Sequence, residues 1–301
     1  MTIDAHSHYM PPEVAVKTAF FKEHWSDEER QLRLMDENHV RQAVLLYPTS
    51  DAHLNMGGWS ALCKIYNQKI SELVKRHRDR FIGAGILPVD TPLDIQSELS
   101  RIRDMDLRML SLASSYEGKY LDDPVFDEVF EFAQRHKMPV HIHPQIMNPI
   151  GSARVQDPLL TPVLEYVFDV SMCVGKMMMS GVFKKYPGVN FIFAHFGGVL
   201  PIVKERFDST YSMLRSRHFV KDLGQKPGDC FSHLYFDTSG TRSSGTLQAA
   251  LEMTDAKHIL WGSDFPANQD FNSSLSVVSK GILSTEERNG VTGDNLRGLL
   301  A

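Results

Sequence analysis

The chain alternates between two hydrophobic patterns. Short runs that are apolar at nearly every position recur along its whole length, and between them apolar residues return every three to four positions. The runs fall at 2–8, 42–48, 81–88, 107–114, 138–144, 190–197, 233–239 and 258–265. Apolar stretches of this length read as strands covered on both faces. The segments between them read as amphipathic helices at 27–38, 59–77, 92–104, 124–137, 159–185, 199–217, 244–254 and 272–281, with a terminal helix over 284–300. Ser26, just before acidic Asp27, Glu28 and Glu29, is the predicted N-cap of the first helix. Eight strands alternating with helices predict an α/β chain folded as a single (β/α)8 TIM-type barrel over residues 1–301, not two domains. The stretches 9–25 and 144–158 lack periodicity and follow the first and fifth strands, where loops over a barrel's open end belong.

Composition narrows the partners. The net charge of −5 without a basic stripe argues against nucleic acid. Cys63, Cys173 and Cys230 are odd in number and far apart, so neither a disulfide framework nor a cysteine metal site is indicated. A polar, histidine-bearing strand begins within a few residues of Met1, which leaves no room for a signal peptide. The most apolar helix, near 159–183, is interrupted by Glu165, Asp169 and Lys176 and should not span a membrane. The expectation is a soluble, cytoplasmic enzyme.

Barrel active sites sit at the carboxyl ends of the strands, so polar residues there carry the chemistry. Strand one ends in His6 and His8, which alternation places on one face. Strand five ends in His141 and His143, strand six in His195, strand seven in Asp237, Ser239 and Arg242, and strand eight in Asp264. His6, His8, His143 and Asp264 make a candidate three-nitrogen, one-oxygen site for a single divalent ion, zinc or alternatively manganese. His141 shares the face of His143 one layer deeper and reads as a hydrogen-bonded supporting residue. The loops supply candidate pocket walls: Tyr47, Thr49, Asp51 and His53 after strand two, and Phe20, Phe21 and Trp25 as a cover over the cleft. Arg154 on the strand-five loop is a candidate for meeting a substrate carboxylate.

The segments DAHSH, VHIHP, FAHFGG and WGSDFP, in this order on strands one, five, six and eight, resemble the amidohydrolase superfamily. The resemblance is to its decarboxylase branch, typified by aminocarboxymuconate-semialdehyde decarboxylase and by decarboxylases of resorcylate and methylsalicylate. It implies the metal set above, with His195 and Asp264 catalytic: His195 orients or deprotonates metal-bound water or a substrate hydroxyl. It implies that Arg206, eleven residues beyond His195, reaches across a homodimer to hold a carboxylate. Strand four (107–114) has no lysine to carbamylate, which favours one metal over two. Phe196 stands where the family often has glycine and is expected to point away from His195. An early substrate-gripping arginine has only Arg33 and Arg41 as candidates. The implied activity is metal-dependent, non-oxidative decarboxylation of an aromatic (hydroxybenzoate-like) or muconate-semialdehyde-type small carboxylic acid. The alternative is a hydrolase, a lactonase or amidohydrolase, using metal-activated water.

Overall fold

All eight expected strands form, and they join into one parallel sheet that curls almost completely closed. The computed structural model describes residues 1–154, 157–279 and 282–301, and Glu23 by its backbone alone. The strands are β1 (Thr2–His8), β2 (Val40–Leu46), β3 (Phe81–Gly85), β4 (Met109–Ala113), β5 (Val140–His143), β6 (Phe191–Phe193), β7 (Tyr235–Asp237) and β8 (Ile259–Leu260). They lie side by side in chain order. The first and last meet through a Ser7–Phe265 bridge, with Ala5 N–H donating to Trp261 O (2.8 Å) and His8 N–H to Phe265 O (2.7 Å).

β1 carries the feature that matters most for the site. Asp4 pairs with Ala43, and the next registered pair is Ser7 with Leu45, so β1 spends one more residue than β2 over that interval. Such an extra residue shifts which side chains face inward. Below it, Ile3 and Ala5 join the cluster formed with Val44, Leu46, Ile82, Ala84 and Leu260. Above it, His6 and His8 face the histidines of β5.

Helices wrap the outside. Glu28–Glu37 starts one residue later than expected: its N-cap is Asp27, whose carboxylate accepts from Arg30 N–H, and not Ser26. Ser26 Oγ donates instead to Met10 O at 2.6 Å, tying the first loop down. Trp59–Arg76 matches the expected second helix. The segment 159–185 becomes a wide turn at Thr161–Glu165, then Tyr166–Ser180 and, past left-handed Gly181, Val182–Lys185. The terminal helix is interrupted at Gly293, where a Cβ would run into the Met1 carbonyl. The N-terminal strand therefore lies too close for any other residue. Positions 280 and 281 of the helix expected over 272–281, and 155 and 156 of the strand-five loop, lie outside the described residues. No described helix is long and apolar enough to cross a membrane.

Candidate metal centre

His6, His8, His143 and Asp264 each place one donor atom within 4.8 Å of the others, at the carboxyl ends of β1, β5 and β8. His6 Nε2 and His8 Nε2 are 3.0 Å apart, and both approach Asp264 Oδ1, at 3.5 and 3.4 Å. Each ring's other nitrogen faces an oxygen that can only accept. His6 Nδ1 lies 2.8 Å from Asp237 Oδ2, His8 Nδ1 3.3 Å from Leu46 O, and His143 Nδ1 3.0 Å from Pro144 O. The proton of each neutral imidazole is thereby committed to Nδ1, which leaves the Nε2 lone pairs converging on one point. Burial pushes His6 down to about 4 and His143 well below its ordinary value, so both stay neutral. Lone pairs beside a carboxylate repel one another unless a cation sits among them. The donor set thus fits a divalent metal ion.

Asp237 is the hub beneath this cluster. Its buried carboxylate accepts from His6 Nδ1 and from His141 Nε2, each at 2.8 Å, through Oδ2. Oδ1 accepts from the backbone N–H of His195 (3.1 Å) and Ser239 (3.0 Å), and from Ser239 Oγ. Burial alone would raise its pKa, but the attraction of His6 and the hydrogen bonds from both rings hold it well below the carboxylate range. The supporting role expected of His141 is what the structure shows. The reach of Asp237 is not legible in the sequence, where it reads as one polar strand end among several. Asp4 was not among the candidates either. It accepts from Ser263 Oγ (2.5 Å), Ser263 N–H (2.9 Å) and His6 N–H (3.1 Å), stitching β1 to the segment that carries Asp264.

His195 stands on the rim. Its Nδ1 donates to Ser239 O at 3.1 Å, which leaves Nε2 for the cleft. Its ring centre is 5.3 Å from that of His6 and 5.9 Å from that of His143. His195, Phe196 and Asp264 all have left-handed backbone, with φ of 54°, 56° and 66°. Non-glycine residues rarely take that region, and such strain clusters where side chains must be aimed. Gly262 permits the packing behind: a Cβ there would lie 2.6 Å from His6 Cβ.

Above the donors opens a cleft of about 960 Å³, lined in part by His8, His143, His195 and Asp264. Phe20, Phe21 and Trp25 line it as expected, and Phe196 borders it while its side chain is buried in the core. The other expected pocket and substrate residues lie elsewhere. Tyr47 is buried, its hydroxyl 2.6 Å from Ser50 Oγ and its ring against Tyr66. Thr49 and His53 line a separate, smaller cavity of about 140 Å³ instead. Arg154 is exposed outside the cleft lining. Arg206 is exposed on the outer helix Leu200–Ser216, beside a surface furrow with Phe207 and Tyr211. Arg41 is exposed at the far end of β2, 3.6 Å from Asp79, and Arg33 is exposed on its helix.

Comparison with known proteins agrees with this architecture. The amidohydrolase family model matches residues 3–300, and the chain belongs to that family. It is 26% identical over 238 residues to 2-amino-3-carboxymuconate-6-semialdehyde decarboxylase of Dictyostelium discoideum, an alignment covering 79% of this chain and 64% of that one, so the chain spans less than two thirds of that relative. It is 28% identical over 261 residues to gamma-resorcylate decarboxylase of Polaromonas sp., covering 79% and 77%. Its fold matches a dihydroxybenzoic acid decarboxylase from Polaromonas sp., solved with manganese and the inhibitor 2-nitroresorcinol. That match has a TM-score of 0.84 and 22% identity, and it covers 99% of this chain and 96% of the other.

Proposed function

We propose that the chain is a metal-dependent, non-oxidative decarboxylase of hydroxybenzoate-type acids. The carrying observation is the set of three imidazoles, each with its proton committed at Nδ1, converging with Asp264 at the floor of a cleft rimmed by His195. His6, His8, His143 and Asp264 would hold the ion, zinc, with manganese supported by the related enzyme that binds it. Once bound, it supplies a Lewis acid for the substrate carboxylate and an adjacent hydroxyl oxygen.

The remaining chemistry falls to side chains. Burial alone would raise the pKa of Asp264, but the neighbouring rings, His8 first and then His6 and His195, outweigh this and hold it below its ordinary value. It is therefore a carboxylate at neutral pH. It accepts the proton that the substrate brings on its hydroxyl or carboxyl group and delivers it to the ring carbon bearing the carboxylate. That carbon becomes tetrahedral. The bond to the carboxyl carbon then breaks, its electron pair returns to the ring, and carbon dioxide leaves. His195 Nε2 hydrogen-bonds the substrate hydroxyl and fixes the ring for this transfer. Phe21 and Trp25 keep water from the reacting carbon.

We extend the proposal to a homodimer. Ile202, Arg206 and Met213 repeat at helical spacing on one exposed face of Leu200–Ser216, with Phe219 exposed just beyond it. Exposed apolar side chains flanking Arg206 support a contact with a second copy, which would bring Arg206 to the neighbouring cleft. The three cysteines are free and buried, which supports a cytoplasmic setting. The deciding experiment is a screen of the metal-loaded protein against hydroxybenzoates, muconate semialdehydes and lactones with carbon dioxide detection. Carbon dioxide from the acids supports decarboxylation. Lactone opening without it overturns the reading in favour of a hydrolase.

A further inference from the structure

We infer that the substrate carries a single carboxylate and, beside its hydroxylated ring, an apolar substituent that runs outward along an aromatic track. The inference rests on the decarboxylase reading and narrows it. Two observations carry it.

The first is charge. Among the described residues, no lysine or arginine lines the cleft. Arg242, just past β7, is exposed and donates to Asn268 Oδ1 at 3.0 Å. Acidic Asp157 stands in the wall itself, and the other polar groups there include the hydroxyls of Thr161 and Thr246. On the proposed reading, a bound ion and Arg206 of a second copy would serve the carboxylate that departs. A second carboxylate deeper in the cleft would be stripped of water with no cation to meet it.

The second observation is shape. From the donor cluster outward, aromatic rings follow one another. The His8 and Trp25 ring centres are 5.8 Å apart, those of Trp25 and Phe21 4.4 Å, and those of Phe21 and Phe20 6.0 Å. The line stays buried through Trp25 at 9% exposure and Phe21 at 2%, then opens at Phe20, at 79%. Pro162 and Val163 line the same cleft, and Val163 is also exposed, at 53%. The volume of about 960 Å³ lies at the upper end of small-molecule pockets, roughly 300–1,000 Å³, and a one-ring acid fills little of it. An alkyl chain or second ring would cover Phe20 and Val163 at the mouth.

The test uses metal-loaded protein and a series of 2-hydroxybenzoates substituted at the 6-position with hydrogen, methyl, propyl and pentyl, beside matched ring dicarboxylates. Carbon dioxide release gives kcat/KM, and titration calorimetry gives Kd independently of turnover. We expect kcat/KM to rise about two- to fourfold per methylene, and the dicarboxylates to fall at least about tenfold below their monocarboxylate partners. F20A should lower kcat/KM more for the pentyl acid than for the unsubstituted one. Carbon dioxide release with a flat or falling series, or with dicarboxylates preferred, overturns this inference and leaves the decarboxylase reading standing. Binding that tightens with chain length, with no carbon dioxide from any acid, supports the ligand class and overturns the decarboxylase reading. Neither turnover nor chain-length-dependent binding overturns both.

Discussion

At the scale of single residues, the site separates rings fixed beneath the cleft from one that faces it. His6, His8 and His143 have their protons pinned at Nδ1 by fixed acceptors, so their geometry is set before any ligand arrives. His195 is tied only through Nδ1 and its backbone, and faces the cleft. H195A should therefore lower kcat by roughly 10²–10⁴-fold while elemental analysis still finds about one ion per chain. Loss of the metal instead would make His195 a ligand. The buried His6 gives a pH signature in the metal-free protein. Its folded value is pushed from 6.5 to about 4, so between those values the unfolded chain takes up a proton that the folded chain refuses. Stability contributed by neutral His6 is present above 6.5 and is lost as pH falls towards 4. Urea melts in chelator should show the wild-type advantage over H6N narrowing across this window, by up to about 1.4 kcal/mol per pH unit. Taking the difference removes the opposing contribution of Asp4, which burial pushes up to about 7.

At the scale of elements, the sequence located strands better than ends. Every expected strand is present, because a run buried on both faces declares itself by continuous apolarity. Ends depend on caps, and there the expectation at Ser26 failed. Ser26 and Asp27 both have N-cap chemistry, and only the path of the preceding loop, which turns Ser26 to Met10 O, decides between them. D27A should cost about 1 kcal/mol in a denaturant melt, the usual worth of an N-cap. Helix continuity was misjudged for a similar reason. Gly290 and Gly293 are local breakers in 284–300, but that the chain breaks at Gly293 follows from the approach of the Met1 carbonyl.

At the scale of the molecule, barrel closure brings β1 against β8 and makes the site whole. Asp264 N–H donates to His6 O at 2.9 Å, so the candidate donor that follows the last strand is positioned by the first strand's backbone. Within one chain, however, Arg206 lies on the outer face and the cleft has no cation of its own among the described residues. If Arg206 acts across a dimer, R206A and H195A should each be inactive alone and regain turnover when co-refolded. A mixed dimer then holds one cleft with both groups intact. Absence of recovery, with mixed dimers shown by mass spectrometry, would overturn the cross-subunit role.

The sequence by itself determined the barrel and placed His6, His8, His143 and Asp264 at strand ends, because strand apolarity and the placing of polar residues there are local patterns. It misplaced Tyr47 as a substrate contact, because the same loop can turn its ring outward or bury it against Tyr66. Only the tertiary structure decided the rest. The extra residue in β1 lets Ile3 and Ala5 fill the barrel while His6 and His8 still face inward, which strict alternation forbids. Asp237 became the hub because closure brings His6, His141, His195 and Ser239 to one carboxylate from three other points on the ring of strands and its own. Register and long-range contact carry no local signature, so what surrounds the His6–His8 pair was decided by the fold.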